Sequence, residues 1–541
     1  MEKRALLAVV LSLLVFFLYQ YFFDQSRKPP VDNGTPTKSA SQQSKDEQIE
    51  SYEKAVPLPE EGDTRRLVEV RQAPETTEKE ISVTTDLYTA VFITRGAMLK
   101  SWKLKKFKDK IGEDAQAIEL ITEGKTEDLP LGLILSNSNV HSFQNAVFKV
   151  DKDSLTLMER GEEGSVSFSW ISPEGIEINK KFIFKNDKYV MGLDVSVRNL
   201  SERDVKDHLV LSWKNKPDLS KDVDRFSFSG PVTLANGELE EIKVKKLDED
   251  KTFSGTIQWA GYEDKYFISC VIPMDPQKVQ LKISKSLSDV VSVDIMKPIE
   301  LYRGQRETYS YSIYSGPKDY YILKSVGSDL KKALNLGWFD VIAKPMLIFL
   351  KYIDRFTHNY GIAIIVLTIV IKIIFFPLTH RSYKSMKDMQ KVQPLMLNLK
   401  KKYKDDKQRL NKEIMALYRT HKVNPLGGCL PILIQIPVFF ALYRALLGSI
   451  ELRHAPFIFW INDLSAKDPY YITPILMGAS MFIQQKMTPT VGDPTQAKMM
   501  LIMPIVFTFM FLNFPSGLVI YWLVNNVLSI GQQFYINKYT A

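Results

Sequence analysis

Gly361-Ile-Ala-Ile-Ile-Val-Leu-Thr-Ile-Val-Ile-Lys-Ile-Ile-Phe-Phe-Pro377 is a run of seventeen residues in which only Thr368 and Lys372 are polar. The run nears the roughly 20 apolar residues that cross a hydrocarbon layer of about 30 Å. A cation at that depth is costly unless it faces a partner or a water-filled cavity. Snorkelling is the competing reading. His380 lies eight residues on, about 12 Å along a helix, and a lysine stem recovers about half of that. Lys372 therefore reads as a functional charge, with Thr368 one turn before it on the same face.

Further runs of this kind follow at Gly428–Leu447, Tyr470–Met487, Met499–Phe514 and Leu518–Ile536. Several carry uncharged polar groups at membrane depth: Gln435, Gln484 and Gln485, then Asn525, Asn526 and Ser529. Each alone reads as interhelical glue. Together, beside a cation, they suit a shared hydrated groove. A charge in the inner half with apolar residues further out fits a groove open to the cytoplasm better than a through-pore.

Orientation follows from charge. Between His380 and Pro425 thirteen basic residues stand against four acidic ones, a net +9 that equals the formal charge of the whole 541-residue chain. Basic loops resist translocation, so this one belongs in the cytoplasm. It reads as a helical hairpin, Tyr383–Tyr403 and Lys407–Thr420, with Asp406 as the second N-cap. Lys384, Lys400, Lys401 and Lys402 supply its charge. Met386 and Met389, with Met396, Leu397, Met415 and Leu417, supply a soft apolar surface able to adapt to varied partners; a solvated charged face is the plainer reading.

The N-terminal Met1-Glu-Lys-Arg4 precedes an apolar run from Ala5 to Phe23 with no small-x-small cleavage site. Residues 1–23 thus read as an uncleaved signal anchor rather than a cleaved signal. Residues 24–80 are polar and Pro-containing, a flexible linker. Residues 81–320 alternate with period two in short β-branched and aromatic stretches, such as Gly192-Leu-Asp-Val-Ser-Val-Arg198, and predict an all-β sandwich. Residues 330–358 predict an interfacial amphipathic helix with Phe339, Ile342, Met346 and Phe349 on one side. A further span there would put the +9 loop outside. The count is six transmembrane helices, both termini cytoplasmic.

The two cysteines, Cys270 and Cys429, fall in different regions, which argues against a disulfide. No zinc-like spacing, phosphate loop or nucleophile elbow is present, so no metal, no cofactor and no enzyme chemistry is expected.

The stretch Lys422-Val-Asn-Pro-Leu-Gly-Gly-Cys-Leu-Pro-Ile-Leu-Ile-Gln-Ile-Pro437 resembles the signature of the YidC/Oxa/Albino family of membrane protein insertases. So do Phe376-Pro-Leu-Thr379, Leu464-Ser-Ala-Lys-Asp-Pro-Tyr-Tyr471, Gln485-Lys-Met487 and Phe514-Pro-Ser-Gly517. The resemblance covers about residues 335–536, and the long β-region is similar to the Gram-negative form. It implies a periplasmic β-supersandwich and a five-helix insertase core over residues 359–541, including the cytoplasmic hairpin 380–425, in the cell inner membrane. It implies that nascent membrane proteins are received in a groove and inserted, folded and assembled, alone or with the Sec translocon and its accessory subunits. Lys372 stands where the family has its groove cation, often arginine, and loses the planar fork for carboxylates. Trp522 stands at a substrate-contact position of the last helix, with interfacial anchoring as the rival. The hairpin would meet the ribosome or signal-recognition machinery without specific nucleic-acid recognition, and lipids surround the core. A small-solute transporter is the competing class, disfavoured by the absence of internal repeats. A carbohydrate-binding envelope protein is the third.

Overall fold

The computed structural model describes residues 77–122, 124–136, 143–217, 228–421, 423, 430–488 and 494–539. The expected signal anchor, nearly all of the linker, and residues 422 and 424–429 of the quoted motif lie outside the described residues.

Alternating stretches form three sheets. The first runs, in spatial order, Ala117–Glu119, Met98–Lys108, Tyr88–Ile93, Glu80–Thr84 and Ser154–Thr156. The second has nine strands: Glu238–Glu241, Gly230–Ala235, Ile257–Glu263, Phe267–Pro273, Arg306–Pro317, Val190–Asn199, Ile176–Lys185, Glu163–Ile171 and Lys149–Val150. The third is Lys251–Phe253, Gln280–Lys285, Val291–Leu301, Val205–Asn215 and Gly132–Leu135. Successive strand residues point to opposite faces, so Ile176, Ile178, Phe182 and Phe184 all enter the core. There Phe182 packs on Phe92 at 4.6 Å between ring centroids, and Tyr88 stacks on Trp102 at 3.9 Å.

Lys180 shares that inward phase and is fully buried. Its Nζ donates to the carbonyls of Gly96 (3.0 Å), Ala97 (2.6 Å) and Leu131 (2.6 Å). Ala97 and Leu131 hold φ at +46° and +68°, conformations that side chains disfavour, so one ammonium pins two strained turns. Burial pulls its pKa down to about 7.

Beyond the last strand, the Asp319 carboxylate caps α1 (Tyr320–Val326), accepting from the Tyr321 and Ile322 amides. The single helix expected over 330–358 is instead two short 3-10 turns, Leu330–Ala333 and Gly337–Phe339, followed by α2 (Asp340–Thr357). Gly337 at φ +72° supplies the break. The buried stripe of α2 is also offset from the expected one. Its centre is Ala343, Leu347, Leu350 and Lys351, with Ile342, Met346 and Phe349 half-buried at its edge. Trp338, Val341 and Phe356 are exposed on the far side.

Asn359 caps α3 (Tyr360–Lys402), accepting from the Ile362 amide at 3.1 Å. The sequence predicts a span ending at Pro377 and a separate hairpin arm from Tyr383, but α3 runs unbroken through both Pro377 and Pro394. Pro377 removes one amide donor, a loss that membrane helices tolerate. No Gly, Asn or Asp follows before Asp388 to turn the chain. The break falls at 403–406, where Asp406 caps α4 (Lys407–Thr420) by accepting from the Arg409 amide at 3.0 Å. The rest is α5 (Leu430–Leu447), α6 (Ile472–Met487), α7 (Pro494–Phe511) and α8 (Ser516–Tyr539). Among the described residues, α3 alone has the length and hydropathy to cross a bilayer; Gln435–Leu447 and Met500–Phe511 are shorter apolar stretches.

The β-region meets the helices through a shared apolar cluster, to which α2 gives Ala343 and Leu347 and α5 gives Ala441 and Ala445, and through ions. Lys351 of α2 pairs with Asp319 at 2.9 Å and with Glu451 of the α5–α6 connection, and its ammonium lies 5.1 Å from the Tyr321 ring. Burial pulls the Lys351 pKa down, but the two carboxylates outweigh it and the net shift is upward. Arg453, in the same connection, donates to the Asp109 carbonyl at 3.1 Å.

Candidate functional site

Helix geometry places the polar groups at one depth. Measured from the helix ends nearest the β-region at about 1.5 Å per residue, Lys372 lies about 18 Å along α3 and Gln435 about 18 Å along α5. On α8, Asn525 lies about 14 Å and Ser529 about 20 Å from the same end. The groups touch. Lys372 Nζ donates to Ser529 Oγ at 2.6 Å, Ser529 Oγ donates to the Asn525 carbonyl at 2.7 Å, and Gln435 Nε2 donates to Asn525 Oδ1 at 2.8 Å. On the adjoining face of α8, Asn526 Nδ2 donates to Ser480 Oγ of α6 at 3.1 Å, and Gln533 donates to the Met487 carbonyl. The last helix is thus a polar spine touching α3, α5 and α6.

Among the described residues the charge in this seam has no counter-ion of its own. Residues 360–387, 430–447, 472–487, 494–511 and 516–539 contain no Asp or Glu, and the partner of Lys372 among the described residues is a neutral hydroxyl. Lys372 is half-buried, and Ile373 and Ile374 beside it are 67% and 66% exposed. Uncompensated charge at an open edge attracts an anion or water.

Nearer the β-region the seam gives way to aromatic rings. Trp522 of α8 lies 4.7 Å from Phe439 of α5, 5.2 Å from Phe511 and 6.2 Å from Phe507 of α7, and Phe511 lies 4.8 Å from Phe514. The polar groups thus cluster at the depth of Lys372 and the aromatic rings lie nearer the β-region.

Of the residues expected in the groove, Lys372 and Gln435 meet α8 through Ser529 and Asn525, while Asn526 faces α6 on the adjoining face. Trp522 belongs to the aromatic layer. Thr368 does not join them: it is fully buried and its hydroxyl donates back to the Ile364 carbonyl at 2.6 Å, a bond that its one-turn spacing favours. Gln485 is half-buried on α6. Ser529, read from the sequence as one polar group among several, is the residue that Lys372 contacts.

In the hairpin, Lys384, Lys401 and Lys402 are exposed, while Lys400 and Met386 are half-buried. Met389 is not part of an open apolar surface. It is 5% exposed and packs with Val392 and Val423 against Leu417 and Tyr418, and Met396 accepts from the Tyr418 hydroxyl at 3.4 Å. Two antiparallel arms need an apolar seam, and these residues make it. Met415 and Leu397 remain exposed. Among the described residues no cluster of His, Cys, Asp and Glu is placed to hold a metal ion.

Comparison with known proteins yields two family models, "YidC periplasmic domain" over residues 80–349 and "60Kd inner membrane protein" over residues 352–541. The chain is 46% identical to the membrane protein insertase YidC of Syntrophus aciditrophicus, covering 99% of this chain and 100% of that one. It is 45% identical to the protein of the same name from Geobacter sulfurreducens, covering 99% of this chain and 98% of that one. Among solved structures, an active YidC insertase with its first transmembrane domain resolved matches at 20% identity and a TM-score of 0.36, over 85% of this chain and 93% of that one.

Proposed function

The chain belongs to the YidC family of inner-membrane protein insertases, and on that premise we propose that its working site is the polar seam on α8, opened to the cytoplasm and closed outward by the Trp522 layer. A nascent segment enters beside Lys372, where its polar and acidic groups exchange bulk water for the ammonium and the amides of Gln435, Asn525 and Asn526. The apolar barrier left to cross is then the aromatic layer and the lipid above it, which lowers the cost of moving a short hydrophilic segment. No covalent step is involved.

The observation that carries this reading is the Lys372–Ser529 contact among helical stretches, residues 360–387 of α3 with α5, α6, α7 and α8, that contain no Asp or Glu. The proposed topology has six spans, the signal anchor of residues 1–23 and five in residues 359–541, with both termini cytoplasmic and residues 81–320 periplasmic. Residues 24–80 tether the anchor, and α2 lies in the outer interface with Trp338, Val341 and Phe356 toward lipid. The +9 hairpin 380–425 faces the cytoplasm, where Lys384, Lys400, Lys401 and Lys402 meet the ribosome or signal-recognition machinery through salt-sensitive contacts. The Sec translocon is the proposed partner for larger substrates.

The test is insertion of single- and double-spanning proteins into vesicles reconstituted with full-length variants. Lys372→Arg is expected to keep activity, because charge rather than fork geometry is what the seam uses. Lys372→Ala is expected to impair substrates with acidic translocated segments about tenfold. Equal activity of the alanine variant across the panel would contradict the reading.

A further inference from the structure

From the geometry around Lys372 we infer that Ser529 is its positioning residue, setting the depth at which the groove charge is presented; this rests on the groove reading above. Ser529 Oγ carries one hydrogen, and that hydrogen is committed to the Asn525 carbonyl at 2.7 Å. Toward Lys372 the hydroxyl therefore presents lone pairs only, and it accepts from Nζ at 2.6 Å. Asn525 is held in turn, because its Oδ1 accepts from Gln435 at 2.8 Å. Ser529 is 4% exposed, so the chain and not solvent fixes its orientation.

Lys372 takes its partner across the seam from α8 rather than from its own helix. Thr368 and Thr379, one turn before Lys372 and two turns after it, donate back to the Ile364 and Phe375 carbonyls of their own helix. A lysine stem is flexible, and without Ser529 the lowest-cost position for the ammonium is toward the cytoplasmic interface. Ser529 thus keeps one ammonium hydrogen occupied and two directed to a substrate. A neutral acceptor is suited to this, since a carboxylate in its place would neutralise the charge and compete with the substrate.

The experiment measures insertion into vesicles by the full-length protein, using one single-spanning substrate with two aspartates in its translocated segment and the same substrate with asparagines. The quantity read is the ratio of the two rates. Ser529→Ala is expected to lower that ratio roughly two- to tenfold, the worth of one hydrogen bond, with the asparagine substrate little changed. Ser529→Thr is expected to restore it. Ser529→Cys, similar in size but a weak acceptor, is expected to follow alanine and carries the test if the alanine variant fails to fold. A wild-type ratio in Ser529→Cys or Ser529→Ala, or no restoration by threonine, overturns the positioning role. Lys372→Ala is run alongside: if it too leaves the ratio unchanged, the groove reading itself fails, a result distinct from failure of Ser529 alone.

Discussion

Lys180 and Lys372 both stand among apolar neighbours, yet the chain treats them differently. Lys180 is closed off by three carbonyls and its pKa falls to about 7 from an ordinary 10.5. The sign follows from linkage. Between those two values the unfolded chain binds more protons than the folded one, so stability rises with pH across that window and is flat below it. Lys180→Met is expected to remove this rise and, by stranding the carbonyls of Gly96, Ala97 and Leu131, to cost about 2–4 kcal/mol at pH 7. Denaturant unfolding followed by the fluorescence of the buried Trp102, Trp213 and Trp259 reads both effects; an unchanged pH slope would contradict the assignment. Lys180 was recoverable from sequence, because it stands in phase with Ile178 and Phe182 on an alternating strand. Lys372, Gln435 and Asn526 were legible as polar anomalies in apolar runs. Ser529 as the partner of Lys372 was not, since a serine is unremarkable in a helix and periodicity carries no information about a contact 157 positions away.

At the scale of elements, local signals located the strand-rich region and the five longer helices following α2, and they failed where a boundary depended on context. Pro377 reads as a stop, but with no capping residue after it α3 continues into the hairpin arm. The amphipathic stripe of α2 was displaced because Lys351, a polar residue by pattern, is buried by its two carboxylates. That ion cluster joins the strand exit, α2 and the α5–α6 connection, and it makes a firm prediction. Lys351→Ala leaves Asp319 and Glu451 facing each other without a counter-charge and is expected to loosen the junction by about 3 kcal/mol or more. Faster proteolytic cleavage within residues 327–339 would report it. Adding Asp319→Asn and Glu451→Gln to the same variant is expected to recover most of the loss, because the stranded charges are gone. Across pH the clamp persists at neutrality: Asp319 is buried, which raises its pKa, but Lys351 and two backbone amides outweigh this and hold it below the usual carboxylate range. The clamp is lost in acid only as the pH falls through that lowered value.

For the whole molecule, the seam is built by α3, α5, α6 and α8 without a single β-strand residue. Deleting residues 81–310 is therefore expected to leave insertion of a short substrate within about threefold of the full chain, and a folded bundle that lost insertion altogether would place the essential site in the β-region. The division of the chain into a β-region and an apolar helical region was plain from composition; the cytoplasmic side of the +9 loop is proposed on charge alone. The meeting of residues 372, 435, 525 and 529 on one face of α8 was not plain, because it depends on how α3, α5 and α8 pack. The most direct test of the account is photocrosslinking during translation of a short membrane protein, with the probe placed singly at Gln435, at Trp522 or at the exposed Phe356 of α2. Adducts to the nascent chain at 435 and 522, and weak or none at 356, are the predicted result. Adducts at 356 as strong as at 435 would contradict a groove on α8.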